Sequence, residues 1–250
     1  MVFRDRVVRV LVVAGICTAP IFVTAGAAAD ETSIAITLAT GADIARLQRR
    51  VDGLERKAIA NAAFSADDKA FLRDLYGAMA SGASHSVVFA QSGRLMDRYL
   101  DGSGKPLELD AAIFRDNARV RQKLDVLVAL SAKDGATHRS SRFYMPDPSK
   151  LDSVTGLYWG TVETSIRVGK DGTKVAHCRA EVPWEWPSYE SLQRKYGTPH
   201  AETFVLPNLG SLAGGAPLRI ENGLGEYLVR LGLAKPFLAW AEWDEPLKPR

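Results

Sequence analysis

The sequence is poor in the residues that most often mark a chemical function. It has two cysteines and four histidines among 250 residues. Cys17 lies in an N-terminal segment that we expect to be removed, so Cys178 would remain alone and an intramolecular disulfide is excluded. The histidines show no spacing typical of a metal site; they are His85, His138, His177 and His200. We therefore expect no metal and no cofactor, and an ordinary apolar core.

Several sequence signatures are also missing. There is no glycine-rich phosphate loop, no G-x-S-x-G motif and no H-E-x-x-H motif. No basic run with interleaved aromatics occurs, which argues against a nucleic-acid partner. After the N-terminal segment, no stretch is apolar enough to span a membrane, so we expect membrane contact only if that segment is retained.

Residues 1–29 have the three parts of a cleavable signal peptide. Three arginines precede an uncharged, mostly apolar run from Val10 to Val23, and a small-residue tract, Ala25 to Ala29, precedes Asp30. The alternatives are an uncleaved anchor and a lipoprotein, but bulky Ile16 before Cys17 argues against the lipoprotein. We expect a mature chain that begins near Asp30 and is periplasmic or secreted.

The charge of the mature chain is close to neutral. The whole sequence carries +3, and the segment 1–29 holds three arginines and one aspartate, which leaves 3 − 2 = +1. The 221 remaining residues suffice for one large domain or two small ones. The oligomeric state is left open, because a helical N-terminal segment over residues 42–62 fits either docking on its own domain or pairing in a dimer.

Apolar residues recur at helical spacing in the first half of the mature chain. The first stripe contains Ile44, Leu47, Val51, Leu54 and Ala58, and the charged residues there, Glu55 among them, lie mostly outside it. Ser65 with Asp67 and Asp68 predicts the start of a second helix. We expect a helical region over 30–135.

After residue 135 the period changes to that of strands. Val162, Ile166 and Val168 alternate with polar residues, and residues 169–172 predict a hairpin turn leading to a strand over 174–182. Within that strand we expect Cys178 to be buried, whereas the register leaves the face of His177 open. The prediction is an α+β fold with a small antiparallel sheet over 136–250 and short C-terminal helices.

The densest unusual segment is Glu181 to Glu190, which contains three acids, three aromatics and two prolines, and the prolines flank its central Trp-Glu-Trp. An acid beside aromatic planes suits a sugar or lipid headgroup, or an acid–base role. We take Trp184, Trp186 and Glu181 as candidate binding residues. The alternative is a structural corner whose tryptophans cover the core and whose acids are solvated.

Two stretches resemble a loose group of uncharacterised secreted or toxin-associated bacterial proteins. They are residues 95–107, which end in Gly-Ser-Gly-Lys-Pro-Leu, and residues 232–237, which are followed by Trp243. Such proteins often carry an Asp-x-Tyr-Asp-Trp/Phe segment after a hairpin, which is remotely similar to the catalytic region of the colicin M family. That family cleaves the lipid-linked peptidoglycan precursor.

The corresponding stretch here is residues 182–186, where Val182 replaces the first acid, Trp184 the tyrosine and Glu185 the second acid. The resemblance implies Glu185 as a catalytic candidate, with Arg194 and His200 nearest to the family's His-Arg pair. Two functions therefore fit the sequence. The favoured one is an exported protein that binds a cell-envelope component or a protein partner; the alternative is an envelope-active hydrolase, toxin or effector.

Overall fold

The computed structural model describes residues 41–84, 90–145, 159–168, 170–200, 203–206 and 218–247. They form two compact units: residues 41–102 with Trp186–Lys235, and Ser103–Glu185 with the segment from Pro236 onward. The predicted regions 30–135 and 136–250 separate the helical part of the sequence from the strand-rich part. They are not the two compact units, because each unit contains residues from both regions. The predicted signal peptide lies outside the described residues, and no helix within them is long and apolar enough to cross a membrane.

The described residues contain seven helices and eight strands, in agreement with the predicted α+β class. In chain order they are α1 (Gly41–Ile59), α2 (Ala66–Ser84), α3 (Ala90–Leu100), β1 (Leu107–Glu108), α4 (Ala112–Arg115), α5 (Ala118–Asp134), β2 (His138–Arg139), β3 (Phe143–Tyr144), β4 (Trp159–Val168), β5 (Lys174–Trp184), α6 (Tyr189–Tyr196), β6 (Thr203–Leu206), β7 (Leu218–Glu221), α7 (Asn222–Arg230) and β8 (Phe237–Pro246).

The first unit contains α1, α2, α3, α6, α7 and the antiparallel pair β6–β7. The start of α2 is a reciprocal cap, because the Asp68 amide donates to the Ser65 hydroxyl and the Ser65 amide donates to the Asp68 carboxylate. The predicted helix start is therefore confirmed. Glycine is a common signal for the end of a helix, but α2 continues past Gly82 to Ser84.

Polar side chains of α1 satisfy the backbone of β7. The Gln48 side-chain amide donates to the Arg219 carbonyl and accepts from the Arg219 amide, at 3.0 and 2.8 Å. Two turns further along α1, the Glu55 carboxyl accepts from the Glu221 amide at 2.7 Å. These bonds matter because an unpaired buried backbone group is costly. The pair β6–β7 was not predicted from the sequence.

The second unit is built on a six-stranded sheet in the order β1-β8-β5-β4-β2, with β3 also pairing with β4. The pairs are antiparallel except β1 with β8, which is parallel. The predicted hairpin is confirmed, since Val168 pairs with Lys174 and Gly172 has a φ of +81°. Strand β5 passes through Pro183 and ends at Trp184, two residues later than predicted.

One face of this sheet is covered by α5. Small residues of β5, Ala176, Cys178 and Ala180, are fully buried on that face. The Ser131 hydroxyl of α5 lies 2.9 Å from the Thr164 hydroxyl of β4. The predicted burial of Cys178 is therefore confirmed. Burial raises the pKa of its thiol to about 12. His177 lies on the opposite face, which fixes the register.

Candidate functional site

The Trp-Glu-Trp segment is the point at which the chain leaves one unit and enters the other. Glu185 is the last residue of this stretch in the second unit and Trp186 the first in the first unit. Trp184 is 5% exposed, and its ring stacks on Phe237 with centroids 5.5 Å apart. Phe237 is also the residue that pairs with Trp184 across β5 and β8, so the Trp184 indole belongs to the core of the second unit.

The Trp186 ring packs within the first unit. It contacts Tyr76 edge-on, with centroids 6.3 Å apart. A Cβ added at Gly225 would lie 2.5 Å from a Trp186 ring carbon. The indole therefore fits against α7 only because residue 225 is glycine. Both candidate binding tryptophans therefore have structural contacts, in two different cores.

Glu185 is exposed and faces Arg142, whose guanidinium lies 3.6 Å from its carboxylate. The Arg142 Nε donates to the Trp159 carbonyl at 3.4 Å. Trp159 and Tyr144 are direct cross-strand partners of β4 and β3. Glu185 thus belongs to a surface that we call the aromatic patch, which consists of Arg119, Arg142, Tyr144, Trp159 and Glu185.

Both aromatic rings of the patch are accessible to solvent: Tyr144 is 40% exposed and Trp159 44% exposed. Their centroids lie 5.4 Å apart with the rings inclined at 62°. The Arg119 guanidinium lies 5.4 Å from the Tyr144 centroid, within cation–π range. Cross-strand pairing and these contacts hold two large apolar surfaces in place beside charged groups.

A depression of about 340 Å³ lies between α5 and the segment that joins β2 to β3. Its lining includes Lys123, Val126 and Ser141. Lys123 also lies 5.9 Å from the ring of Phe143, the neighbour of Tyr144. Pockets that hold small ligands have volumes from about 300 Å³ upward.

Glu181, the third candidate binding residue, lies on the sheet face opposite α5 and is held by two arginines. Its carboxylate accepts from Arg139 at 2.5 Å and from Arg179 at 2.8 Å. Arg179 also bonds Glu242 and lies 4.9 Å from the Trp240 ring centroid. Each charge in this network has a partner, which is typical of a solvated face of an antiparallel sheet.

The same sheet face aligns a serine, a histidine and an aspartate. Ser165 pairs with His177 across β4 and β5, and His177 pairs with Asp244 across β5 and β8. The His177 Nδ1 lies 2.9 Å from the Asp244 carboxylate, but its Nε2 faces the Glu242 carboxylate at 3.6 Å. A triad needs the second ring nitrogen to reach the hydroxyl. These three residues therefore do not form a nucleophilic triad.

His200 joins a second cluster of titratable groups in the first unit. Its Nδ1 bonds the Glu221 carboxylate, and its side chain is 57% exposed. Behind it lies Glu55, only 7% exposed. The hydroxyl groups of Tyr76 and Tyr189 and the second carboxylate oxygen of Glu221 are buried nearby, and the Tyr189 hydroxyl interacts with the Glu221 side chain.

The electrostatics of this cluster centre on Glu55. The pKa of Glu55 is raised to about 7, mainly by burial; the negative charge of Glu221 acts in the same direction, and the hydrogen bond from the Glu221 amide acts against it. Burial also raises the pKa of Tyr76 and Tyr189, so both hydroxyl groups keep their protons. Glu221 is the N-cap residue of α7. Near neutral pH, the cluster pairs a carboxyl that can hold a proton with a carboxylate bonded to an accessible histidine.

The structure does not bring the three catalytic candidates together in one compact unit. Glu185 belongs to the second unit, whereas Arg194, in the last turn of α6, and His200 belong to the first. Among the described residues, no group of three or more His, Cys, Asp or Glu side chains is arranged to hold a metal ion.

Sequence reasoning missed the carboxylates that accompany His200, and also missed Tyr144 and Trp159. Glu55 follows Val51 by four residues and Gln48 by seven, so helical periodicity places it at the edge of the buried stripe. We expected it mostly outside that stripe, which is wrong, because β7 covers this side of α1. Tyr144 and Trp159 carry no local signal, since only the pairing of β3 with β4 makes them neighbours.

The fold and these surfaces define a two-unit α+β protein with an exposed aromatic patch and a separate carboxyl–histidine cluster. No family model, curated protein or solved structure matches this chain. The resemblance to the colicin M family therefore stays a prediction.

Proposed function

We propose that this chain is an exported protein that binds a component of the cell envelope, and that the aromatic patch is its binding surface. The observation that carries the proposal is the pair formed by Tyr144 and Trp159, two large rings that are both exposed and held in cross-strand register. Single exposed apolar residues are ordinary. Two adjacent aromatic rings flanked by arginines are typical of a recognition surface.

The predicted export of the chain supports this proposal. The predicted signal peptide would place the mature chain where envelope components are accessible. N-terminal sequencing of the native protein tests this part, with an expected start near Asp30. A native chain that begins at Met1 in the cytosol contradicts it.

Binding is tested by co-sedimentation of the purified mature chain with isolated envelope fragments. We expect the wild type to sediment and Trp159→Ala to remain in solution. Tyr196→Ala is the matched control, because Tyr196 is an aromatic residue of the first unit with 46% exposure. Equal sedimentation of all three proteins, or of none, contradicts the proposal.

One observation favours the alternative, an envelope-active hydrolase. A carboxylate on Nδ1 leaves Nε2 of an accessible histidine able to accept a proton from water, which is the arrangement of a general base. His200 and Glu221 have this arrangement. Release of soluble fragments from envelope material by the wild type, but not by Glu221→Gln or His200→Ala, is the expected result of this alternative. The absence of release by the wild type contradicts it.

A further inference from the structure

The aromatic patch divides into a support and an exposed platform. Arg119 lies over the ring of Tyr144, and Tyr144 in turn contacts Trp159. The Trp159 indole is the largest ring of the patch and is 44% exposed. The Trp159 backbone is held by β3 and by the bond from Arg142. The platform is therefore a flat apolar surface on a backbone that needs little ordering when a ligand binds.

A hydrogen-bond donor and a hydrogen-bond acceptor lie close to the backbone that carries this platform, since Arg142 bonds the Trp159 carbonyl and also faces Glu185. Arg142 carries several N–H donors and Glu185 two acceptor oxygens, and their nearest atoms are 3.6 Å apart. Both side chains are about half exposed, at 51% and 55%, so each retains capacity for a further partner. Their charges cancel, and the surface next to Trp159 is polar but close to neutral.

We propose that the envelope component bound by the aromatic patch is a saccharide chain. A sugar ring has one face of C–H groups and an edge of hydroxyl groups that both donate and accept hydrogen bonds. Trp159 matches the face, and Arg142 with Glu185 matches the edge. This inference rests on the proposed function, since it names the ligand class of the same surface.

The charge and size of the surface argue against the other envelope ligands. Binding to an anionic lipid surface gains from several uncompensated basic residues, whereas Glu185 offsets Arg142 here and leaves Arg119 as the one uncompensated cation among the residues of the patch. A stable protein interface buries about 800 Å² on each partner around an apolar centre. The exposed Trp159 ring and the Tyr144 ring that supports it cover a much smaller area. This area matches one or two sugar rings.

The experiment is titration of the mature chain with chitotetraose and cellotetraose, followed by tryptophan fluorescence and by calorimetry. We expect saturable binding of at least one oligosaccharide. Trp159→Ala should weaken binding about 10-fold or more, as for the loss of a central aromatic anchor. Trp159→Phe, which keeps a smaller ring, should fall between the two, and Tyr196→Ala should bind like the wild type.

A parallel titration uses vesicles that contain phosphatidylglycerol and phosphatidylethanolamine. If envelope fragments bind in a Trp159-dependent manner but neither oligosaccharide binds at millimolar concentration, the saccharide inference fails while the proposed function stands. Trp159-dependent binding to the vesicles likewise overturns the saccharide inference and identifies a lipid ligand. If the envelope fragments do not bind either, the proposed function fails as well.

Discussion

The buried carboxyl group of Glu55 makes the stability of the first unit depend on pH in a way that one substitution removes. Its pKa is raised from 4.5 to about 7 because burial disfavours the charged form. The folded state then binds a proton that the unfolded state releases between these two pH values. Stability therefore falls as pH rises from about 4.5 to 7, and the loss is complete above pH 7.

The size of this effect follows from the shift. A change from 4.5 to about 7 corresponds to about 3 kcal/mol. The glutamine side chain of Glu55→Gln keeps an oxygen that can accept the hydrogen bond from the Glu221 amide. Unlike the carboxyl group, this side chain cannot ionise. We expect the variant to match the wild type at pH 5 and to be more stable by up to about 3 kcal/mol at pH 8.

Urea unfolding of both proteins at pH 5, 6, 7 and 8 measures this difference. Glu190→Gln is the control, because Arg230 holds the pKa of Glu190 down at about 2 and the carboxylate stays ionised over this whole range. Its effect should not change between pH 5 and pH 8. A Glu55→Gln variant that loses stability equally at both pH values would show that Glu55 does not carry a raised pKa.

Four further predictions concern packing, a helix cap and thiol reactivity. Gly225→Ala should destabilise the first unit by about 1–3 kcal/mol in thermal unfolding, since the new Cβ would meet the Trp186 ring at 2.5 Å. Gly77→Ala should instead stabilise α2 by about 0.5–1 kcal/mol in the same measurement, because its new Cβ would meet no atom within 4 Å. Asn117→Ala should cost about 1–2 kcal/mol because Asn117 caps α5 and donates to the Met145 carbonyl, while Asn117→Asp should recover the cap alone. Cys178 should react with a thiol reagent only after denaturation, because burial keeps its thiol protonated; rapid labelling of the native protein contradicts this.

Local patterns predicted the elements of this fold well. The cap at Ser65, the hairpin that ends at Gly172 and the burial of Cys178 each depend on residues a few positions apart. Such patterns act through helix and strand periodicity and through the conformational freedom of glycine. The α+β class followed from the change of period near residue 135.

The candidate surfaces were less predictable. Arg119, Arg142, Tyr144, Trp159 and Glu185 come from four stretches of the second unit, and only the strand order makes them one patch. His200 was a candidate from the sequence, but its proton-accepting arrangement needs Glu221, which lies 21 residues away. No local pattern encodes such distances.

The sequence by itself determined where the longer helices and strands form, because spacing along the chain decides which side chains share a face. Only the tertiary structure decided what covers each face. The two tryptophans around Glu185 entered different cores, and Glu55 was buried beneath β7. Burial and pKa depend on the elements that pack against a residue, and those elements come from distant parts of the chain.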